Sequence, residues 1–284
     1  MNRRQLLALS PALFMPSCRT DESASSPKKT EPSPPIVGKK GLCLSARQRA
    51  PEKIQRFLRA VEADWLYNWD IEAPAGHAAE IAFTPMIYRV SPVLDERLAK
   101  LQSLTVSRGY RELLGYNEPD SESQGNTSVE AALEAWPKLE ATGLRLGSPA
   151  TVHPDNEWML AFMKGVEKRG LRVDFICMHS YGGPGVESMI RKIEKVHDLF
   201  KRPIWITEFA VADWEAKSAG ENRFPAERVA DYVRELLPRI EAMDIVERYA
   251  WFHGGVSGGP LASSKLFHPD GSLTLVGEAY RDAH

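Results

Sequence analysis

From Gly41 onward the chain alternates between short apolar runs and longer stretches in which apolar residues recur every three to four positions. Eight runs have the length and composition of buried strands: GLCLS from Gly41, DWLYN from Asp64, IAFTPMIY from Ile81, ELLGYN from Glu112, RLGSP from Arg145, DFICMHSY from Asp174, PIWITEF from Pro203 and RYAWF from Arg248. Between most of them lie amphipathic segments: PEKIQRFLRAVE from Pro51, SVEAALEAWPKLEATG from Ser128, EWMLAFMKGVEKRG from Glu157, VESMIRKIEKVHDLF from Val186 and AERVADYVRELLPRIEAM from Ala226. Pro51 suits a first helical turn, and Gly143 and Gly170 stand where a left-handed cap residue is wanted. Strands interleaved with helices over roughly 240 residues predict a single α/β domain, a (β/α)8 TIM barrel. The helix after the second strand is expected to be degenerate, because residues 71–80 are few and rich in Pro and Gly. A doubly wound open sheet is the alternative.

The chain before Gly41 reads differently. Residues 1–18, MNRRQLLALSPALFMPSC, combine a basic start, an apolar run too short to span a bilayer, and small residues before Cys18. That is an export signal; Arg3 and Arg4 look like a twin-arginine pair, and MPSC resembles a loose lipobox whose Cys18 would be lipidated. An ordinary cleaved signal is the other reading. The expected destination is the cell envelope, as a lipoprotein, or the exterior, with membrane contact only through that anchor. Residues 19–40 are Ser, Pro, Lys, Thr and Glu with almost nothing apolar, the composition of a disordered tether, so the barrel is placed at 41–284.

Composition narrows the function. Lys and Arg total 36 against 38 Asp and Glu, with no long run of one sign, which excludes the electrostatic footprint of a nucleic-acid binder. The seven His have no zinc-ligand spacing, and Cys43 and Cys177 sit in apolar runs as buried thiols, so neither metal nor disulfide is expected. A monomer without cofactor is expected.

In such a barrel the working groups lie at the C-terminal ends of the strands. Glu118 closes the fourth run and Glu208 the seventh, so the two would face each other across the mouth. Paired carboxyls there can divide labour as general acid and as nucleophile or base, the requirement of glycosidic cleavage. If Glu208 points inward, regular alternation sends Ile204 and Ile206 inward and Trp205 toward the helices. His179 and Tyr181 share one side of their strand. Asn117 and Glu118 cannot both face inward unless the strand ends or bulges there. Among aromatic residues near strand ends, Trp69, Tyr181 and Trp251 are the expected sugar contacts. GVSGG, residues 255–259, fits a nucleophile elbow, but Pro260 and its glycines provide no following helix, and His253 and His268 beside it read as surface histidines.

The order of LYNWD, FTPMIY, LLGYNEPD, RLGSPA, VDFICMHSYG, PIWITEFA and VERYAWF resembles the strand ends of glycoside hydrolase family 128, the glycosyl hydrolase catalytic core family of β-1,3-glucanases. The resemblance implies a retaining hydrolase of β-1,3-glucan polysaccharide or oligosaccharides, with Glu118 as acid/base and Glu208 as nucleophile. It further implies that Asn117 bonds the sugar 2-hydroxyl, that Tyr181 holds Glu208 beside His179, that Trp251 is the platform beneath the cleaved sugar, and that Asn68 and Trp69 are substrate contacts. Hydrolysis of another β-glycan and a non-catalytic glucan-binding barrel are the competing expectations.

Overall fold

Each of the eight runs contributes a strand, in the predicted order: β1 (Lys40–Cys43), β2 (Trp65–Tyr67), β3 (Ala82–Phe83), β4 (Glu112–Leu113), β5 (Arg145–Leu146), β6 (Ile176–Gly182), β7 (Ile204–Val211) and β8 (Val246–Phe252). This computed structural model describes residues 38–44, 51–78, 80–253 and 259–283. Cys18 with the export segment, residues 19–37 and the GVSG portion at 255–258 lie outside the described residues. Strands β3-β2-β1-β8-β7-β6 form one parallel sheet, and β4-β5 a second pair. Single parallel bridges complete the ring, Met86 with Leu114 and Gly147 with Phe175. Short strands suffice because a barrel has no free edge to protect.

The helices are α1 (Pro51–Ala60), α2 (Leu94–Arg108), α3 (Val129–Glu140), α4 (Glu157–Arg169), α5 (Val186–Phe200), α6 (Ala226–Glu241) and α7 (Leu275–Asp282). Among the described residues none stands between β2 and β3, as the Pro- and Gly-rich segment predicts. Gly170 adopts the left-handed conformation that ends α4, and Gly143 takes it just beyond α3. Ser128 and Asn156 cap α3 and α4 by accepting from the amides of Ala131 and Met159. Sequence periodicity misses α2, in which only Leu94 and Leu101 are buried, so its apolar stripe is thin.

Lys40, expected at the end of the tether, instead opens β1 and is buried. Its ammonium donates to the carbonyls of Arg281 at 2.8 Å and Ala283 at 3.3 Å. A buried cation is tolerated there because it satisfies the otherwise unpaired carbonyls at the C-terminal end of α7.

Two apolar layers result. One lies between strands and helices and includes Leu42, Leu66, Ile204, Ile206, Phe209 and Trp251. The other fills the barrel and includes Cys43, Trp65, Tyr67, Phe175, Cys177 and Trp205. The barrel floor is aromatic: Trp205 stacks on Phe175 at 4.1 Å, Trp65 tilts against Trp205 at 5.3 Å, and the Arg248 guanidinium lies 4.4 Å above the Trp205 ring. Gly41 is needed in this packing, since a Cβ there would fall 2.3 Å from the Trp65 indole nitrogen.

Trp205 therefore points into the barrel, not toward the helices. The reason is a β-bulge. Ile206 pairs with Met178, but His179 pairs with Glu208, which leaves Thr207 unmatched; the ladder with β8 shifts over the same span. The additional residue turns both Trp205 and Glu208 inward, which strict alternation forbids.

Candidate active site

β7 delivers Glu208, β6 delivers His179 and Tyr181, the end of β2 delivers Tyr67 and Trp69, and the loop after β4 delivers Asn117 and Glu118. Glu208 is buried and its carboxylate is held from three directions. Tyr67 Oη donates to Oε1 at 2.9 Å, Trp69 Nε1 to the same oxygen at 2.8 Å, and Tyr181 Oη to Oε2 at 2.5 Å. Burial and the Glu208 charge hold the Tyr67 and Tyr181 hydroxyls well above the usual phenol range, so both remain donors.

Glu118 stands opposite. Its Oε1 lies 3.0 Å from His179 Nδ1, while His179 Nε2 faces Glu208 Oε1 at 3.5 Å without a hydrogen bond. Burial alone would weaken proton binding by the ring, but the charge of Glu208 and the charge and hydrogen bond of Glu118 outweigh it, so the His179 pKa is raised. One oxygen of each glutamate and one nitrogen of His179 lie within 4.8 Å of one another. That spacing is also short enough to hold a metal ion, although His179 Nδ1 is already engaged by Glu118. In catalytic terms the trio is two carboxylates with a cation-forming ring between them.

Asn117 and Glu118 leave strand geometry together. Asn117 forms a lone bridge to Ala150, and Glu118 adopts φ 37° while its amide bonds the Ala150 carbonyl at 2.7 Å. A left-handed glutamate costs about 1–3 kcal/mol, and that strain aims the carboxyl into the mouth. The returning loop fixes the turn, since a Cβ on Gly125 would sit 2.1 Å from the Asn117 carbonyl oxygen. Asn117 is buried beside the Tyr88 hydroxyl, and its Oδ1 has no hydrogen-bond partner among the described residues.

Of the other expected contacts, Asn68 spends its side chain on its own loop, accepting from Asp70 N and donating to the Glu72 carbonyl. It approaches neither carboxylate through a hydrogen bond. His253 is buried, edge-on to Phe57 and Phe267, not a surface histidine.

A family model described as "Glycosyl hydrolase catalytic core" matches residues 45–280. An endo-β-1,3-glucanase of glycoside hydrolase family 128, subgroup I, from Amycolatopsis mediterranei, solved with laminarihexaose, is 33% identical, with a TM-score of 0.75 over 87% of this chain and 99% of its own. The chain belongs to glycoside hydrolase family 128. A second family 128 structure, a subgroup III curdlan-specific exo-β-1,3-glucanase from Blastomyces gilchristii in complex with glucose, is 27% identical, with a TM-score of 0.67 over 88% of this chain and all (100%) of its own. Among curated proteins, the alkali-sensitive linkage protein 1 of Schizosaccharomyces pombe is 27% identical over 231 residues, covering 76% of this chain. The chain spans 40% of that relative's length.

Within this family 128 hydrolase, one expected contact is misplaced. Trp251 is 0% exposed and faces the helix layer, against Phe209 and Tyr280, with its indole nitrogen donating to the Ser264 carbonyl at 2.8 Å. It cannot lie beneath a sugar. Its neighbour Phe252 takes the mouth-facing position, edge-on to Trp69 at 5.9 Å and Tyr181 at 5.6 Å. Tyr67 shares the parity of Trp69 on the same strand end, the signal that places it inside, and it bonds Glu208. Gly125 carries no such signal, because its role depends on a loop returning to Asn117.

Proposed function

We propose that this glycoside hydrolase cleaves β-1,3-glucan with retention of anomeric configuration. The observation that carries the reading is the pairing of Glu118 and Glu208 with carboxylate oxygens within 4.8 Å. Retaining enzymes keep these groups about 5–5.5 Å apart, whereas inverting ones need roughly 6.5–9.5 Å to admit a water. The substrate class follows the family 128 structures, whose complexes hold laminarihexaose and laminaritriose.

Glu118 gives its proton to the glycosidic oxygen as that bond breaks, and a Glu208 oxygen attacks the anomeric carbon to form a glycosyl ester. Glu118, now a carboxylate, takes a proton from water, and the resulting hydroxide attack on the same carbon returns Glu208. Tyr67, Trp69 and Tyr181 fix the attacking carboxylate so that little reorganisation accompanies the step. The unpartnered Asn117 amide oxygen supports a contact with a hydroxyl of the bound sugar.

Glu118→Gln and Glu208→Gln are each expected to abolish laminarin hydrolysis while retaining oligosaccharide binding, and NMR of the fresh wild-type product is expected to show the β-anomer. Near-normal turnover in either variant, or an α-anomeric product, refutes the assignment. Residues 1–18 are proposed to direct export and residues 19–37 to tether a monomeric barrel. Lipid attachment at Cys18 is tested by labelled palmitate incorporation in wild type and Cys18→Ser.

A further inference from the structure

Six large apolar residues are strongly exposed among the described residues, and Trp214 is the aromatic one, at 64%. It belongs to the loop that leaves β7, six positions beyond Glu208. Its ring meets Tyr181 edge-on at 6.0 Å, and Tyr181 is the residue that holds Glu208 Oε2. A mouth-facing chain of rings thus runs from Trp69 through Phe252 and Tyr181 to Trp214.

The loop is anchored from below. Asp213 is buried, and its carboxylate accepts from the Arg223 backbone amide, Nε and Nη2 at 2.6–3.0 Å, which holds its pKa down to about 2. The Asp213 amide donates to the Pro260 carbonyl at 2.9 Å and the Ala212 amide to that of Gly182 at 2.8 Å. Those bonds tie the segment to the chain after β8 and to the end of β6. A fixed backbone presenting an exposed indole lowers the ordering cost of binding a ligand on it. Arg223 Nη1 and Glu215 Oε2, paired at 3.0 Å and largely exposed, place a donor and an acceptor on the same short loop.

We propose that Trp214 is a distal sugar-binding subsite, a platform for the apolar face of a glucosyl unit beyond the residue undergoing cleavage, with Arg223 and Glu215 meeting its hydroxyls. This rests on the β-1,3-glucanase reading and adds to it a residue that makes the enzyme prefer longer chains. A pyranose suits the position because one face of the ring is a sheet of C–H groups and its rim is polar.

The test measures kcat/KM of wild type, Trp214→Ala and Trp214→Phe on linear β-1,3-oligosaccharides from the triose to the heptaose. Trp214→Ala is expected to lower kcat/KM on the heptaose about tenfold, the scale of one lost stacking contact, and to flatten the rise with chain length. Trp214→Phe is expected to restore most of that rise, and Val106→Ala, which trims an exposed apolar residue on α2, to leave the profile as in wild type. Superimposable length profiles for Trp214→Ala and wild type overturn the subsite and leave the glucanase reading intact. A wild-type protein that cleaves none of the series overturns that reading and the subsite with it.

Discussion

His179→Gln removes the imidazole that lies between Glu118 and Glu208 while keeping a polar side chain in a fully buried position. A protonated ring 3.5 Å from the Glu208 charge is attracted to it by about 5 kcal/mol at an effective dielectric constant of ~20. In wild type that attraction, together with the contact to Glu118 Oε1 at 3.0 Å, offsets the cost of burying the ring. The variant is therefore expected to lose about 3 kcal/mol of folding stability near pH 6, the usual result of removing one partner from a buried ionic cluster. The pH dependence has a definite sign. The folded-state pKa of His179 is raised above 6.5, so its stabilising contribution is complete below 6.5 and is lost as pH rises through the folded-state value. Urea midpoints of wild type and His179→Gln, measured from pH 6 to pH 9 at constant ionic strength, should converge toward the alkaline end. A gap that stays constant, or widens with pH, refutes the placement of a protonated ring between Glu118 and Glu208.

The remaining expectations concern placement. Tyr181→Phe should slow hydrolysis about tenfold or more and Tyr67→Phe by less, because Oε1 keeps the Trp69 donor whereas Oε2 relies on Tyr181. Trp251→Ala should cost about 3–5 kcal/mol in a urea titration, as a core truncation does, while Phe252→Ala should raise KM at little cost in stability. Gly125→Ala should cut kcat roughly 100-fold by displacing the Asn117–Glu118 turn, which steady-state kinetics beside an unfolding curve will separate from misfolding. Hydrolysis should survive excess EDTA, since the proposed acid and nucleophile are both carboxyls; loss of activity restored by a divalent ion would instead assign Glu118, His179 and Glu208 to a metal.

Strand order and the facing of Glu118 and Glu208 were legible because buried parallel strands leave continuous apolar runs, and a charge at the end of such a run is conspicuous. His179 and Tyr181 were legible as a pair because β6 alternates regularly up to the mouth. Alternation failed on β7, where nothing in PIWITEF marks Thr207 as the unmatched residue; the bulge is visible only against the registers of β6 and β8. The expectation of Trp251, rather than its neighbour Phe252, at the mouth fails for a related reason. Both are aromatic at a strand end, and only the packing of α7, through Tyr280, shows which ring belongs to the core. The ends of the tether were misread at Lys40 because a buried lysine is explained by carbonyls some 240 positions away in the chain.

The unmatched residue on β7 also separates two kinds of evolutionary freedom. Below it, Trp205 answers to the volume of the barrel floor, to Phe175, Trp65 and Arg248. Above it, the ladder starts afresh with His179 against Glu208, Ser180 against Phe209 and Tyr181 against Ala210. Glu208 is thus indexed from the rim rather than from the base, so a lineage can remodel the floor side chain by side chain while the distance from Glu208 to Glu118 stays fixed.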